Sequence, residues 1–298
     1  MASTLAALNE ASDADFVATL GAVFEHAPWV AEAALPQRPF ATVEALFSAM
    51  RDAVQGAPEG RRLALLTGHP ELAGRAARSG AIAPDSIAEQ AAAGLDRMSE
   101  AEYARFEALN AAYRDKFGIP FILCVKRHGR ASLLGTFEAR LASAPDVERR
   151  TAEAEVMRIA AIRLNALVSG PGPLATTGRI STHVLDTVRG KPAAGVAVDL
   201  VEFVSATEAV LVARAVTNAD GRTDMPLIHG RPVPIATYEL RFGLGDHFRR
   251  VGAGPGSALS EPPFLDIVPL RFGVGDPEGH YHVPLVATPW SYQTYRGS

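Results

Sequence analysis

The chain has 298 residues, 48% hydrophobic and 21% charged, with a net charge of −4. That length exceeds one ordinary core and predicts two domains, and that composition excludes a disordered chain. The slight acidity excludes the basic field that nucleic acid or an anionic membrane would require, so small molecules are the expected partners.

Taken from the N-terminus, Met1 to Leu5 shows neither a basic nor a long apolar leader, and no run is apolar for the length of a membrane span; a cytoplasmic location is the default expectation. Residues 1–166 read as helices. Ser12 with Asp15, and Ser99 with Glu102, have the spacing of capping boxes. After Ser99, the residues Tyr103, Phe106, Leu109, Tyr113 and Phe117 recur near the 3.6-residue period and predict one buried helix face. The single Cys124 excludes an intrachain disulfide, and its apolar setting, Phe121 to Val125, points to packing rather than nucleophilic chemistry. A last helix is expected through Ala152 to Ala160, which is rich in strong helix formers.

Gly170-Pro171-Gly172-Pro173 cannot continue that helix, so residues 167–177 are expected to be a flexible linker. From residue 178 the period shortens. Val196 to Phe203, Thr237 to Phe242 and Phe264 to Leu270 are β-branched and aromatic runs between turn-forming clusters, which predicts an all-β sandwich over 178–298. The stretch Gly252-Ala253-Gly254-Pro255-Gly256 has no βαβ context and is discounted as a dinucleotide loop. No CxxC or HExxH pattern supports a metal site, so none is expected.

Three ordered blocks in the second half carry a resemblance. They are Ser181-Thr182-His183-Val184-Leu185-Asp186 with Gly190-Lys191-Pro192, then Thr217-Asn218-Ala219-Asp220-Gly221-Arg222, then His280-Tyr281-His282-Val283-Pro284-Leu285 through Tyr295-Arg296-Gly297-Ser298. This half resembles the transthyretin-like hydroxyisourate hydrolases. The resemblance implies that His183, Arg222, His282, Tyr295 and Ser298 line a site. It gives His183 and His282 base and positioning roles, Arg222 the oxyanion or urate-like carbonyls, and Tyr295 and Ser298 substrate contacts. The chemistry is consistent, because opening a ring amide with water needs a near-neutral base and a fixed cation for the oxyanion. Strand alternation favours His282 as the site histidine, with His280 at the same parity as an assistant.

In the first half, His69-Pro70-Glu71-Leu72-Ala73-Gly74, Ser86-Ile87-Ala88-Glu89-Gln90 and Tyr113 to Ile122 carry another resemblance, supported by Val23 to Trp29 and Ile162-Arg163-Leu164. Together they resemble the OHCU decarboxylase family. The resemblance implies His69 as proton donor, Glu89 as its hydrogen-bonding and orienting partner, and Arg163 as a clamp for carboxylate or carbonyl oxygens. Pro70, Ser86, Ile87, Ala88, Gln90, Phe121, Ile122, Leu123, Cys124 and Val125 would form the pocket. No cofactor is expected, because the substrate's own conjugated imidazoline can accept the electron pair left by carbon dioxide. The expected whole is a helical decarboxylase fused to a transthyretin-like hydrolase, acting consecutively on small ureides and assembling as a homo-oligomer with a tetrameric hydrolase core and a dimeric decarboxylase. The rival expectation is that only one half is catalytic, the other being a transthyretin-type binding module or a helical oligomerisation scaffold.

Overall fold

The computed structural model describes residues 2–74, 84–92, 94–95, 98–254 and 258–297. The chain divides into two compact units, Met1–Lys126 with Leu133–Thr176, and Arg127–Ser132 with Thr177–Ser298. Among the described residues no helix is long and apolar enough to cross a membrane.

The first unit is helical. Ser99 caps the Glu100–Phe117 helix in a complete capping box with Glu102, whereas Ser12 caps Asp13–Leu20 by accepting the Asp15 amide and bonding the Asp15 carboxylate. Phe106, Leu109 and Tyr113 of the predicted stripe are buried, with Tyr103 and Phe117 half-buried at its ends. The last helix extends beyond the predicted stretch, over Pro145–Leu167. Its residues Glu155, Ile159 and Arg163 recur every four positions and so share one face, and all three are buried or nearly so.

The stretch expected to be a flexible tether is instead fastened to the helical unit. Val168–Ser169 pairs in parallel with Ser3–Thr4. The carbonyls of Pro171 and Gly172 accept the amides of Val43 and Glu44 at 2.9 and 3.0 Å, which satisfies first-turn donors that a helix cannot pair internally. Asn165 donates to the Leu174 carbonyl and to the Thr176 hydroxyl, both at 2.8 Å. Gly172, at φ 60°, lies where a Cβ would sit 2.8 Å from the Thr42 side chain. Gly-Pro composition therefore stops the helix without freeing the chain.

The second unit holds the expected sheets. Ile267–Val274, Ala236–Gly243, Ala197–Phe203 and Ala209–Val216 form one antiparallel sheet in that order. On the other side of the core, His280–His282 runs parallel to Gly178–Ser181, and Leu285–Ala287 runs parallel to Val184–Asp186. The breaks between these pieces are bridged by hydrogen bonds from Val283 to Ser181 and from Leu285 to His183. Val198, Leu200, Tyr238, Leu240, Phe242 and Val268 fill the core between the layers.

Two details differ from the sequence reading. The run Phe264 to Leu270 starts its strand only at Ile267, because Pro262-Pro263 precedes it and the Asp266 carbonyl is engaged by the Gly245 amide at 2.9 Å. The unit also contains a helix, Leu244–Val251, whose buried Leu244, His247 and Phe248 form a short amphipathic face. Eight residues are too few for that period to stand out between two strands. Of the glycine-rich stretch 252–256, Pro255 and Gly256 lie outside the described residues.

Candidate active sites

In the helical unit, four elements bring charged side chains into one buried pocket. The Pro84–Ala92 helix presents Ser86, Glu89 and Gln90, and the Pro145–Leu167 helix presents Arg163. His69 follows the Glu59–Thr67 helix, and Glu25 comes from the loop before Trp29–Ala34. Arg163 is the hub. Its Nε and Nη2 donate to the Glu89 carboxylate at 3.2 and 3.0 Å, and Nη2 also reaches Ser86 Oγ at 3.2 Å and Glu25 Oε2 at 3.3 Å. The Ser86 hydroxyl lies 2.8 Å from both Glu25 oxygens. Burial opposes the Arg163 charge, but the Glu89 and Glu25 carboxylates outweigh it and hold the guanidinium above its ordinary pKa.

His69 is only 7% exposed, with Nδ1 3.7 Å from Glu25 Oε2 and Nε2 lacking a hydrogen-bond partner among the described residues. Burial, then the Arg163 and His26 charges, pull its pKa down to about 4, against a smaller opposite pull from Glu89. The resting ring is therefore neutral. A second cavity of about 340 Å³ shares His69 in its wall with Thr67, Arg114 and Ile119. His26 and Ala73, beside Glu25 and Leu72, are non-glycine residues at φ 55° and 52°. Such conformations cost energy and persist where surrounding contacts impose them; here the Ala73 amide is held by Gln90 Oε1 at 2.9 Å.

The predicted pocket residues separate by geometry. Pro70, Ser86, Gln90, Phe121, Ile122, Leu123 and Val125 line the pocket with His69, Glu89 and Arg163. Ile87 and Ala88 do not, since positions one and two beyond Ser86 turn to the outer face of their helix, where both are exposed. Cys124 is buried outside the lining, and its amide donates to the Glu155 carboxylate at 2.9 Å. The 121–125 wall is braced from behind: Arg140 donates to the Ile122 carbonyl at 2.7 Å and to Glu148 at 2.9 Å, and its guanidinium lies over the Phe121 ring. The sequence reading missed Glu25 and also Lys126, whose Nζ lies 3.4 Å from Glu89. It also paired Glu89 with His69, whereas the carboxylate within 4 Å of His69 among the described residues is Glu25.

In the β unit, the predicted histidines meet at the breaks in the two central strands. His183 Nδ1 is 2.7 Å from His282 Nε2, and the rings stack at 29° with centroids 4.9 Å apart. Arg222 pairs with His183 across an antiparallel bridge and is placed by its turn, where the Asn218 carboxamide accepts the amides of Asp220 and Arg222. Burial and then the Arg222 charge lower the His183 pKa. Burial, His183 and Arg222, with smaller effects from His280 and Arg179, bring His282 down to about 4. The tail returns over this pair, with the Gly297 amide donating to the His282 carbonyl at 2.8 Å. Tyr295 is 56% exposed, and Ser298 lies outside the described residues. His280 joins the site through Ser181, which the sequence reading did not select although it shares a strand face with His183.

The OHCU decarboxylase family model matches residues 9–165, and the HIUase/transthyretin family model matches residues 180–297. The chain belongs to both families. A 5-hydroxyisourate hydrolase of Deinococcus radiodurans is 57% identical over 119 residues, covering 40% of this chain and 95% of that relative. A 2-oxo-4-hydroxy-4-carboxy-5-ureidoimidazoline decarboxylase of Haloferax volcanii is 42% identical over 161 residues, covering 54% of this chain and 94% of that protein. A crystal structure of (S)-allantoin synthase is similar across 99% of both chains, at 33% identity and a TM-score of 0.54. This chain thus carries the two families in that order, and its similarity to one solved chain runs through both.

Proposed function

We propose that this chain is a bifunctional enzyme of urate breakdown in which residues 178–298 hydrolyse 5-hydroxyisourate and residues 1–166 decarboxylate the product to (S)-allantoin. The observation that carries the reading is the coexistence of two separate constellations, His183–His282–Arg222 and His69–Glu25–Glu89–Arg163, each in the unit whose family matches. In the hydrolase unit, Arg222 holds the carbonyl oxygen as it becomes an oxyanion, the imidazole pair manages the protons, and Tyr295 and Ser298 contact the substrate.

In the decarboxylase unit no bound group is needed as an electron sink. Carbon dioxide departs without the bonding pair, which moves into the substrate's imidazoline; the carbon centre then takes a proton from His69, and delivery from one side sets the chirality. A substrate carboxylate beside the neutral His69 ring raises its proton affinity, so the proton arrives with the substrate.

The test uses urate oxidase to supply fresh hydroxyisourate and records circular dichroism. Wild type should accumulate (S)-allantoin, and His69→Ala should consume hydroxyisourate normally while allantoin forms slowly and as a racemate. Equal racemic traces from both proteins would defeat the decarboxylase assignment. We further propose a cytoplasmic homo-oligomer with tetrameric hydrolase and dimeric decarboxylase contacts. Exposed Ile267, Trp290 and Tyr292 on the outer strands and the tail support such contacts, and sedimentation of the full chain as a monomer would refute them.

A further inference from the structure

We infer that Ser181, backed by His280 and Arg179, is the positioning residue that sets the orientation and tautomer of the His282–His183 pair. The inference rests on the hydrolase reading of this site.

Five side chains form one hydrogen-bonded series. Arg179 Nη2 lies 3.2 Å from His280 Nδ1, His280 Nε2 lies 2.9 Å from Ser181 Oγ, Ser181 Oγ lies 2.9 Å from His282 Nδ1, and His282 Nε2 lies 2.7 Å from His183 Nδ1. Arginine has no acceptor, so His280 Nδ1 must accept from it. Burial together with neighbouring charges lowers the pKa of each of the three histidines, which keeps one proton on each ring at neutral pH. A neutral His280 that accepts at Nδ1 carries its proton at Nε2 and donates to Ser181. The serine hydroxyl, having accepted there, gives its single proton to His282 Nδ1. His282 then holds its proton at Nε2 and donates to His183 Nδ1, which leaves the His183 proton on Nε2.

The direction of the whole series follows from its exposed end. For His183 to receive a proton at Nε2, every link must reverse, and the reversed series ends with His280 Nδ1–H facing the Arg179 N–H. Arg179 thus selects the direction, His280 relays it, and Ser181, which touches both histidines of the HYH strand, transmits it to the pair. Ser181 and His183 are two positions apart, as are His280 and His282, so strand alternation alone presents all four on one face. A hydroxyl here is needed for its ability to accept and donate at once, which a methyl group or a fixed donor cannot do.

Two independent measurements test this. Ser181→Ala should lower kcat for hydroxyisourate hydrolysis by about tenfold or more, the usual scale for losing an orienting partner, with KM little changed and decarboxylation intact. Ser181→Thr, which keeps the hydroxyl and suits a strand, should recover most of the loss. In the full chain labelled with ¹⁵N-histidine, nitrogen shifts should report Nε2–H tautomers for His280, His282 and His183, and Arg179→Met should mix the two tautomers. Wild-type kcat in Ser181→Ala, or an Nδ1–H tautomer on His282, would overturn the inference. His183→Ala serves as the control: if it too hydrolyses normally, the hydrolase site itself is misplaced, whereas an inactive His183→Ala beside a normal Ser181→Ala defeats only the positioning role.

Discussion

Glu25→Gln isolates what the buried carboxylate beside His69 contributes. The substitution preserves shape and leaves an amide oxygen to accept from Ser86, so the hydrogen-bond skeleton survives while one charge disappears. At the 3.3 Å separation from Arg163, an effective dielectric near 20 gives a gross attraction of about 5 kcal/mol. Glu89 remains on the same guanidinium, so the net loss should be smaller, about 1–3 kcal/mol. Two consequences follow at the site. Arg163 becomes less restrained and turns its unbalanced charge toward His69, and no carboxylate remains 3.7 Å from His69 Nδ1 to pair with that ring once it is protonated. Both make the proton donor poorer. With each ~1.4 kcal/mol worth tenfold in rate, E25Q should form (S)-allantoin about 10- to 100-fold more slowly. Hydroxyisourate should be consumed at the wild-type rate. The assay is the urate oxidase-coupled dichroism trace, with thermal unfolding of the same protein as the check on folding. A wild-type allantoin rate from E25Q would refute the reasoning, because it would mean that neither Arg163 nor His69 depends on this carboxylate.

Gly297→Ala places a methyl group 2.6 Å from His282 Cδ2, a ring already tied to Ser181 and His183, so hydroxyisourate hydrolysis should fall about tenfold or more while decarboxylation persists; the two phases of the coupled assay separate these effects. His69 is held at about 4 against an ordinary 6.5, so between those values the unfolded chain binds more protons. Its contribution to stability is complete above pH 6.5 and is lost as pH falls toward 4, by ~3 kcal/mol in all; urea denaturation at pH 7, 6 and 5 should show a flatter decline in His69→Gln than in wild type. Arg140→Met leaves Glu148 buried without its cation and frees the Ile122 carbonyl, and should cost about 3–5 kcal/mol by denaturant unfolding.

Much of both sites was legible because their residues sit at spacings that the local structure converts directly into a shared face. Ser86 lies one helical turn from Glu89 and Gln90, and His183 and His282 lie at the breaks in strands that the parallel register sets side by side. Glu25 was not legible. It lies in a loop before a short helix, and its contact with Arg163 spans 138 residues, so no periodicity announces it. Ser181 was hidden differently, since a serine in a strand motif is as well suited to solvent as to two histidines. The docked linker was also beyond composition. Gly and Pro foretold that the helix would end, but whether the chain then swings free depends on the Val43 and Glu44 amides that its carbonyls satisfy.

The two sites use arginine under opposite electrostatic conditions, and this bears on which oxygen Arg163 holds. Around His183 and His282, beyond burial and the effect of the neighbouring histidines on His282, the charges that lower the pKa are Arg222 and, for His282, Arg179. A cationic setting suits a reaction in which negative charge grows on a carbonyl oxygen. Around His69, Arg163 is shared by Glu25 and Glu89, with Lys126 beside the latter. Those carboxylates temper the guanidinium. An untempered arginine would bind the substrate carboxylate most strongly before it leaves, and such binding slows the step it precedes. A guanidinium already engaged on two sides retains enough attraction to orient an anionic substrate while gripping the departing group less. Removing Glu89 or Glu25 should therefore tighten ground-state binding as kcat falls, so that KM and kcat decline together; a kcat loss with a raised KM would instead place Arg163 on the part of the substrate that stays.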